Sequence, residues 1–222
     1  MERAEAPPEL VFGLGNPGPD HAHDRHNAGF RFIDLLAERY KAPAFSGDRR
    51  AQAAATRIDI EGARVMLIKP LAWMNSSGQV VRGVLDYFKL APSAALVVHD
   101  DLDLPLGAAL LKTGGGHGGH NGLRDVIRHC GPDFNRLRLG VGHPGDKDRV
   151  TPYVLSKPTA AESKAIEEAM QDALEAFDTL YIKGMQAAMT QLHTPAEDAP
   201  GRESPGGEGV PPSRRTGRLP SQ

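Results

Sequence analysis

The stretch LVFGLGNPG, residues 10–18, is an apolar run that ends in a cluster of glycine, asparagine and proline. This composition predicts a short buried strand over Leu10–Leu14, followed by a tight loop. From Asn27, which is in position to cap a helix, apolar residues recur at helical spacing as far as Tyr40. A strand that leads into a helix in this way is typical of the first unit of an α/β domain.

The alternation of strands and helices continues along the chain. Further strands are predicted at 53–60, 63–68, 95–98, 108–111 and 137–141. Further helices are predicted after Ser76 or Ser77, after the glycine-rich loop at 114–119, and over 159–189 as one or two helices. This order predicts an α/β fold, a single domain with a mixed, mostly parallel twisted sheet flanked by helices on both faces.

Three polar side chains follow predicted strands directly. Asn16 follows the first strand, Asn75 follows the strand that ends near Pro70, and Asp100 follows the strand at 95–98. Because ligand sites in α/β sheets gather beyond the carboxyl ends of the strands, we expect these three side chains to meet.

The two ends of the chain differ from its centre in composition. Residues 9–193 are predicted to form the folded domain, with residues 1–8 as a flexible N-terminus. Residues 194–222 are rich in proline, glycine, serine and charge, and Val210 and Leu219 are their only large aliphatic residues. Such a segment buries too little apolar surface to offset its ordering entropy, which predicts a disordered tail.

The overall composition is that of a globular protein. Hydrophobic residues make up 40% and charged residues 24% of the 222. The single cysteine, Cys130, excludes an internal disulfide and any site with several cysteine ligands, which favours a reducing, cytoplasmic location. Residues 1–9 carry three glutamates and do not resemble a signal peptide, and no apolar run approaches the roughly 20 residues that span a bilayer. The sequence therefore predicts no membrane association.

Charge is unevenly distributed. The whole chain has a formal net charge of −2, whereas residues 109–150 carry seven lysines and arginines against four acidic residues. A local basic face suits a partner that offers a few phosphates. Ordinary surface charge is the alternative that composition leaves open.

A glycine pattern at 13–18 matches the dinucleotide-binding fingerprint by letter. That fingerprint requires a helix N-terminus directly after the glycines to receive the pyrophosphate. Here Pro17 and Pro19 remove amide donors, and the next helix begins about ten residues later. The nicotinamide-cofactor interpretation is therefore not favoured.

Three clusters carry the chemistry instead. Asn16 and His26 lie on a polar loop before the first long helix, and Asp100, Asp101 and Asp103 follow a buried strand. The three carboxylates suggest either a cation site or an acid that orients another group. The glycine-rich loop contains His117 and His120 and opens a helix, which favours a phosphate or a sugar, although two histidines fall short of a zinc site without a third protein ligand.

Taken together, these clusters resemble the bacterial-type peptidyl-tRNA hydrolase family. The matching segments are GLGNPG at 13–18, RHNAG at 25–29, MNSSG at 74–78, HDDLDLP at 99–105, GGGHGGHNGL at 114–123, RLR at 136–138 and GVGHPG at 140–145. The resemblance runs from about Leu10 to His193. It implies a monomer without cofactor, metal or obligate protein partner, which acts on the 3′ acceptor end of peptidyl-tRNA.

The resemblance also implies roles for particular residues. His26 matches the catalytic histidine, Asp100 the aspartate that keeps it basic, and Asn16 the residue that separates N-blocked from free aminoacyl ends. The remaining matches concern substrate and tRNA binding: Asn75 and Asn121 as substrate contacts, Trp73 as the aromatic residue at the tRNA end, Gly118 in the glycine loop, and Lys112 and Arg138 as phosphate contacts.

One position departs from the family pattern. His21 stands where the family usually has a tyrosine, three residues after Gly18. A histidine can still stack and donate a hydrogen bond, but it can also become charged near neutrality. The resemblance therefore implies a tRNA-binding residue at His21 whose contribution is more sensitive to pH.

The expected mechanism is direct attack by water on the ester, with His26 as general base and Asp100 as the acceptor that fixes its tautomer. The sequence has no Gly-x-Ser-x-Gly motif, and Cys130 is expected to be a buried small hydrophobe, so no covalent intermediate is predicted. Two alternatives stay open: an RNA-end binding module, which does not need the pairing of His26 with Asp100, and a metal-dependent hydrolase, which would lose activity in chelator.

Overall fold

The computed structural model describes residues 6–48 and 50–193. Its strands are β1 (Leu10–Gly13), β2 (Ser46–Asp48), β3 (Ala53–Ile60), β4 (Ala63–Pro70), β5 (Ala95–Asp101), β6 (Ala109–Thr113) and β7 (Asn135–Gly140). Its α-helices are α1 (Ala28–Arg39), α2 (Ser77–Phe88), α3 (Asn121–Cys130), α4 (Val150–Val154), α5 (Ala160–Lys183) and α6 (Met185–His193). The predicted tail at 194–222 and residues 1–5 lie outside the described residues.

All seven strands form one sheet in the order β2-β3-β4-β1-β5-β7-β6. The four central strands, β4, β1, β5 and β7, run parallel, whereas β2, β3 and β6 are added antiparallel at the two edges. This confirms the predicted mixed sheet and locates its parallel part at the centre. The carboxyl ends of the central strands consequently meet at one edge of the sheet.

Helices cover both faces of the sheet, as predicted. Because side chains alternate along a strand, Val11 and Val98 face α1, α5 and α6, whereas Phe12 and Val97 face α2 and α3. The two apolar clusters are separated by the sheet, and each is almost fully shielded from solvent. Burial of these two cores stabilises the orientation of the loops at the carboxyl edge.

The hairpin between β3 and β4 forms at the predicted turn. Glu61 and Gly62 have φ values of 48° and 79°, and Ile60 pairs with Ala63. Positive φ at both central residues is the type I′ geometry that matches the twist of the flanking strands.

The glycine pattern at 13–18 serves packing. A Cβ atom on Gly13 would lie 2.4 Å from the carbonyl oxygen of Gly29, and a Cβ on Gly29 would lie 2.5 Å from the backbone nitrogen of Leu14. The first turn of α1 therefore rests directly on the end of β1, and this contact requires glycine on both sides. The close approach brings the residues before α1 over the carboxyl edge of the sheet.

Several element boundaries differ from prediction. β5 extends to Asp101 because it pairs with β7 as far as Gly140, so Asp100 lies inside the strand and not after it. Asn27 stands at the N-cap position of α1 without a side-chain cap bond, because its side chain binds Asn16 instead. The segment predicted at 159–189 forms two helices, which are separated at Gly184 with a φ of 91°.

Candidate active site

A cavity of about 730 Å³ opens at the carboxyl edge of the sheet. Its size is that of a site for a small molecule or for one end of a larger ligand. Seven of the predicted site residues line it: Asn16, His26, Trp73, Asn75, Asp100, Gly118 and Asn121. Short helix α4 forms one wall, where Val154 and Leu155 supply an apolar surface.

His26 and Asp100 are in contact inside this cavity. His26 lies on a single 3₁₀ turn, Arg25–Asn27, that leads into α1, and Asp100 lies near the end of β5. The Nδ1 atom of His26 is 3.0 Å and 2.9 Å from the two carboxylate oxygens of Asp100. Only 7% of His26 and 2% of Asp100 is exposed, so the contact is shielded from bulk water.

A second histidine binds the same carboxylate. The Nε2 atom of His120 is 3.0 Å from Oδ1 of Asp100, and the rings of His26 and His120 have centroids 4.7 Å apart. Asp100 therefore joins two buried imidazoles. From the sequence, His120 is a candidate metal ligand on the glycine loop, without a predicted link to Asp100. The sequence does indicate that the side chain of His120 is fixed, because His120 directly precedes a predicted helix, and side chains at that position bind backbone N–H groups.

The pKa values of His26 and Asp100 are both shifted from their usual values. Burial disfavours a charged ring at His26, but the charge and hydrogen bond of Asp100, together with the charge of Asp24, outweigh burial and raise the pKa of His26 above 6.5. Burial alone would raise the pKa of Asp100, but His26 and His120 hold that pKa far below its usual value. Asp100 is therefore a carboxylate at any physiological pH.

Asn16 has one side-chain group left for a ligand. Its backbone exchanges two hydrogen bonds of 2.9 Å with the side chain of Asn27, and its Oδ1 accepts the N–H of Met74 at 2.9 Å. The Oδ1 contact fixes the orientation of the amide, so the Nδ2 group is directed to the cavity that Asn16 lines. Asn16 is thus a rigid hydrogen-bond donor at the cavity wall.

The rim of the cavity carries exposed polar and aromatic groups. Trp73 is 60% exposed, and the ring of His21 meets it edge-on with centroids 5.9 Å apart. His21 itself lies outside the lining and binds Asp24 through Nδ1 at 2.9 Å. Asn75 and Asn121 are exposed on the lining, and Oδ1 of Asn121 accepts from Arg124, which leaves its Nδ2 for a ligand.

Lys112 and Arg138 are not part of the cavity lining and lie on edge strand β6 and its neighbour β7. Lys112 is exposed, but Arg138 donates from Nε to the carboxylate of Asp101 at 2.7 Å. Arg138 is therefore partly neutralised within the protein. The structure places neither residue in contact with His26 or Asn16.

A third basic residue, Arg136, bonds to the glycine loop. Arg136 is buried and donates to the carbonyl groups of Gly115, at 2.5 Å, and Gly116, while its guanidinium lies 4.5 Å from the ring centroid of Phe134. In the sequence, Arg136 belongs to a matching motif at 136–138, but no role is predicted for it. These hydrogen bonds fix the conformation of the glycine loop, in which Gly118 lines the cavity.

The ligand atoms of His26, Asp100 and His120 lie within 4.8 Å of one another, a spacing that suits a metal ion. The hydrogen bonds favour another interpretation. Nδ1 of His120 accepts the N–H of Leu123 at 3.2 Å, which requires the ring proton to be on Nε2, the nitrogen that faces Asp100. A metal needs a lone pair at Nε2, so it would have to displace both this proton and the bond to Leu123.

Comparisons with known proteins agree on one family. The sequence model of the family described as peptidyl-tRNA hydrolase matches residues 10–200. A peptidyl-tRNA hydrolase from Salmonella paratyphi B is 46% identical over 188 residues, which cover 84% of this chain and 96% of that protein. A second, from Salmonella typhimurium, is 45% identical over the same length, with the same coverage.

Solved structures give the same result. The crystal structure of peptidyl-tRNA hydrolase from Acinetobacter baumannii has a TM-score of 0.80 and 44% sequence identity, and it covers 83% of this chain and 94% of that one. A crystal structure of a peptidyl-tRNA hydrolase complex with N-propanol has a TM-score of 0.81 and 44% identity, with coverage of 85% and 97%. Among the described residues, no helix combines the length and apolar character needed to cross a membrane.

Proposed function

Because the chain belongs to the peptidyl-tRNA hydrolase family, we propose that its hydrolysis of the ester bond in peptidyl-tRNA uses His26 as general base and Asp100 as the group that fixes the tautomer of His26. One observation carries the proposal: His26 lines the cavity while its Nδ1 contacts both oxygens of Asp100, at 3.0 Å and 2.9 Å. Asp100 accepts the Nδ1 proton, which leaves the lone pair of Nε2 as the basic site.

The reaction follows from this tautomer. Nε2 of His26 takes a proton from water as the water oxygen attacks the ester carbonyl, and Asp100 stabilises the imidazolium that forms. The ring then returns the proton to the ribose oxygen as the ester C–O bond breaks. The products are a peptide with a free carboxyl group and a tRNA with a free terminal hydroxyl. A positioned base of this kind contributes about 10²–10⁴-fold to the rate.

Asn16 is proposed to stabilise the negative charge that develops on the carbonyl oxygen. Its Nδ2 is a fixed donor on the cavity wall because Oδ1 is occupied by the N–H of Met74. Fixed donors are the groups that stabilise an oxyanion best, since they do not have to reorient during the reaction. Asn75 and Asn121, which are exposed on the lining, are proposed to hold the peptide and the terminal ribose.

The nucleotide end is proposed to lie against Trp73, which offers a large exposed face beside His21. Aromatic faces of this kind stack on the bases of single-stranded RNA ends. The proposed enzyme is a cytoplasmic monomer that needs no cofactor, metal or obligate protein partner. If so, activity persists in an excess of chelator, whereas a metal-dependent hydrolase would lose it.

The test is His26→Gln, measured as cleavage of N-acetylaminoacyl-tRNA and, separately, as binding of deacylated tRNA. We expect cleavage to fall by at least about a hundredfold while binding stays close to that of the native protein. His23→Gln is the matched control, since His23 is an exposed histidine three positions away. Retained cleavage by His26→Gln, or equal losses in both variants, would show that His26 is not the base.

A further inference from the structure

His120 makes one hydrogen bond with each of its ring nitrogens. It occupies the N-cap position of α3, where Nδ1 accepts the N–H of Leu123 at 3.2 Å. Nε2 lies 3.0 Å from Oδ1 of Asp100, and the side chain is only 7% exposed. The glycine loop thus ends in a residue that connects the start of α3 to the carboxylate beside His26.

The cap contact determines which nitrogen of His120 carries the proton. A nitrogen that accepts an N–H must present a lone pair, so in the neutral ring the proton resides on Nε2. Nε2 therefore donates to Asp100, which also accepts from Nδ1 of His26. The cap fixes the tautomer of His120 in the same way that Asp100 fixes that of His26.

When one carboxylate accepts hydrogen bonds from two donors, it stabilises each donor less than it would stabilise a single donor. We propose, on the basis of the function proposed above, that His120 is a positioning residue for the hydrolysis: by donating to Asp100 it limits how strongly Asp100 stabilises the imidazolium form of His26. His120 does not touch the reacting atoms in this proposal. Its effect is to keep the base from becoming too strong, since a base that stays protonated at working pH cannot accept a proton from water.

The surroundings of the two rings support this assignment. The charged groups that face His26 are Asp100 from β5 and Asp24 from its own loop, and both favour its protonated form. His99 lies edge-on to His120 with ring centroids 5.1 Å apart, but burial lowers the pKa of His99 to about 3. His99 is therefore neutral at working pH, and its Nδ1 bonds to the backbone carbonyl of Asp100, which leaves His120 as the second ring that bonds to the carboxylate of Asp100 beside His26.

Two substitutions at this one position separate the donor from the cap. In His120→Asn, the amide oxygen can replace Nδ1 as the cap acceptor, because asparagine is among the best N-cap residues, but no group reaches Asp100. In His120→Gln, the longer side chain can replace Nε2 as the donor to Asp100, whereas the cap is lost. The pair therefore distinguishes a role in proton chemistry from a role in loop structure.

The titration of His26 is followed by NMR of its ring protons in the free protein, assigned by comparison with His26→Gln. His120→Asn is expected to raise the pKa of His26 by about 0.5–1 unit, because Asp100 then has one donor instead of two. The acid limb of kcat/KM, which reports the base in the free enzyme, is expected to move to higher pH by the same amount. His120→Gln is expected to leave both values in place and to lower Tm by about 2–4 °C through loss of the cap.

The proposal is overturned if His120→Asn leaves the His26 titration unmoved or shifts it to lower pH. It is also overturned if both variants move the titration equally, since the loop structure would then be responsible. The NMR titration needs no activity, so the two proposals fail separately. Cleavage that survives in His26→Gln removes the proposed base even if His120→Asn still shifts the ring titration.

Discussion

The pKa of His26 sets the direction of the pH dependence. Burial opposes the charge on the ring, but Asp100 and Asp24 raise its pKa above 6.5. A general base works in its neutral form, so kcat/KM is expected to rise with pH through a pKa above that value. In Asp100→Asn, burial is no longer outweighed, so the acid limb should move to lower pH, while the plateau of kcat falls by about 10²–10⁴-fold because the tautomer is no longer fixed.

The prediction is tested by full pH profiles of kcat/KM and kcat for the native enzyme and for Asp100→Asn. Asp103→Asn is the matched control, because it removes the same charge from the following loop without touching His26. We expect its acid limb to coincide with that of the native enzyme. A limb that moves to higher pH in Asp100→Asn would contradict the assigned role of the carboxylate.

At the residue scale, the sequence predicted His26 and Asp100 as partners only through resemblance, since no local pattern reveals a contact across 74 positions. The structure brings them together, and it adds His120, which the sequence placed on a glycine loop that favours a phosphate or a sugar and did not connect with Asp100. The reason is physical: the ring faces inward because α3 begins at the next residue and uses it as a cap. Local sequence shows the cap position but not the carboxylate on the far side of the ring.

At the scale of elements, Arg25 connects the loop of His26 to the segment around α4 through hydrogen bonds. Its Nη1 donates to the carbonyl oxygens of Tyr153, Ser156 and Lys157 at 3.1–3.3 Å and to Oγ of Ser156 at 2.7 Å, and its Nη2 pairs with Glu162 at 2.8 Å. Arg25 is only 5% exposed. We expect Arg25→Ala to lower the free energy of unfolding in urea by about 2–3 kcal/mol, because a buried guanidinium loses all of its hydrogen bonds to the partly exposed acceptors around α4.

Arg31→Ala is the matched control for Arg25→Ala. Arg31 also pairs with a glutamate of α5, Glu167, at 3.1 Å, but that glutamate is 60% exposed. Solvent screening should reduce the loss for Arg31→Ala to less than about 1 kcal/mol. Equal losses for the two variants would mean that the buried contacts of Arg25 contribute nothing beyond an ordinary surface pair.

Element types were more predictable than their ends. Apolar runs and helical spacing correctly indicated β1, the β3–β4 hairpin and α1, because these patterns reflect which side is buried. The end of β5 could not be predicted, since Asp100 and Asp101 do not look like strand residues and are held in the strand by pairing with β7. The partners of Arg25 were equally hidden, because they lie more than 120 positions further along the chain.

At the scale of the whole molecule, fewer basic side chains are free to bind phosphate than the sequence suggested. Residues 109–150 are basic, but Arg136 turns inward to the glycine loop and Arg138 is paired with Asp101. Lys112 remains exposed on the same edge of the sheet. The number of cations available to phosphates is therefore smaller than the count of lysines and arginines, which a sequence cannot reveal because it does not show which charges are already paired.

This distinction predicts different salt dependences for the two residues that were assigned to phosphate binding. Each phosphate contact releases condensed counterions, so Lys112→Ala should reduce the slope of log K against log salt for deacylated tRNA by about 1. Arg138→Ala should reduce it less, because Asp101 already offsets much of that charge. Lys41→Ala is the control: Lys41 is exposed after α1, two residues before Pro43, which accepts a hydrogen bond from Thr56 on β3, at the other end of the strand order from β6. A slope that Lys41→Ala flattens as much as Lys112→Ala would mean that tRNA responds to the overall charge and not to the side of the sheet that carries β6.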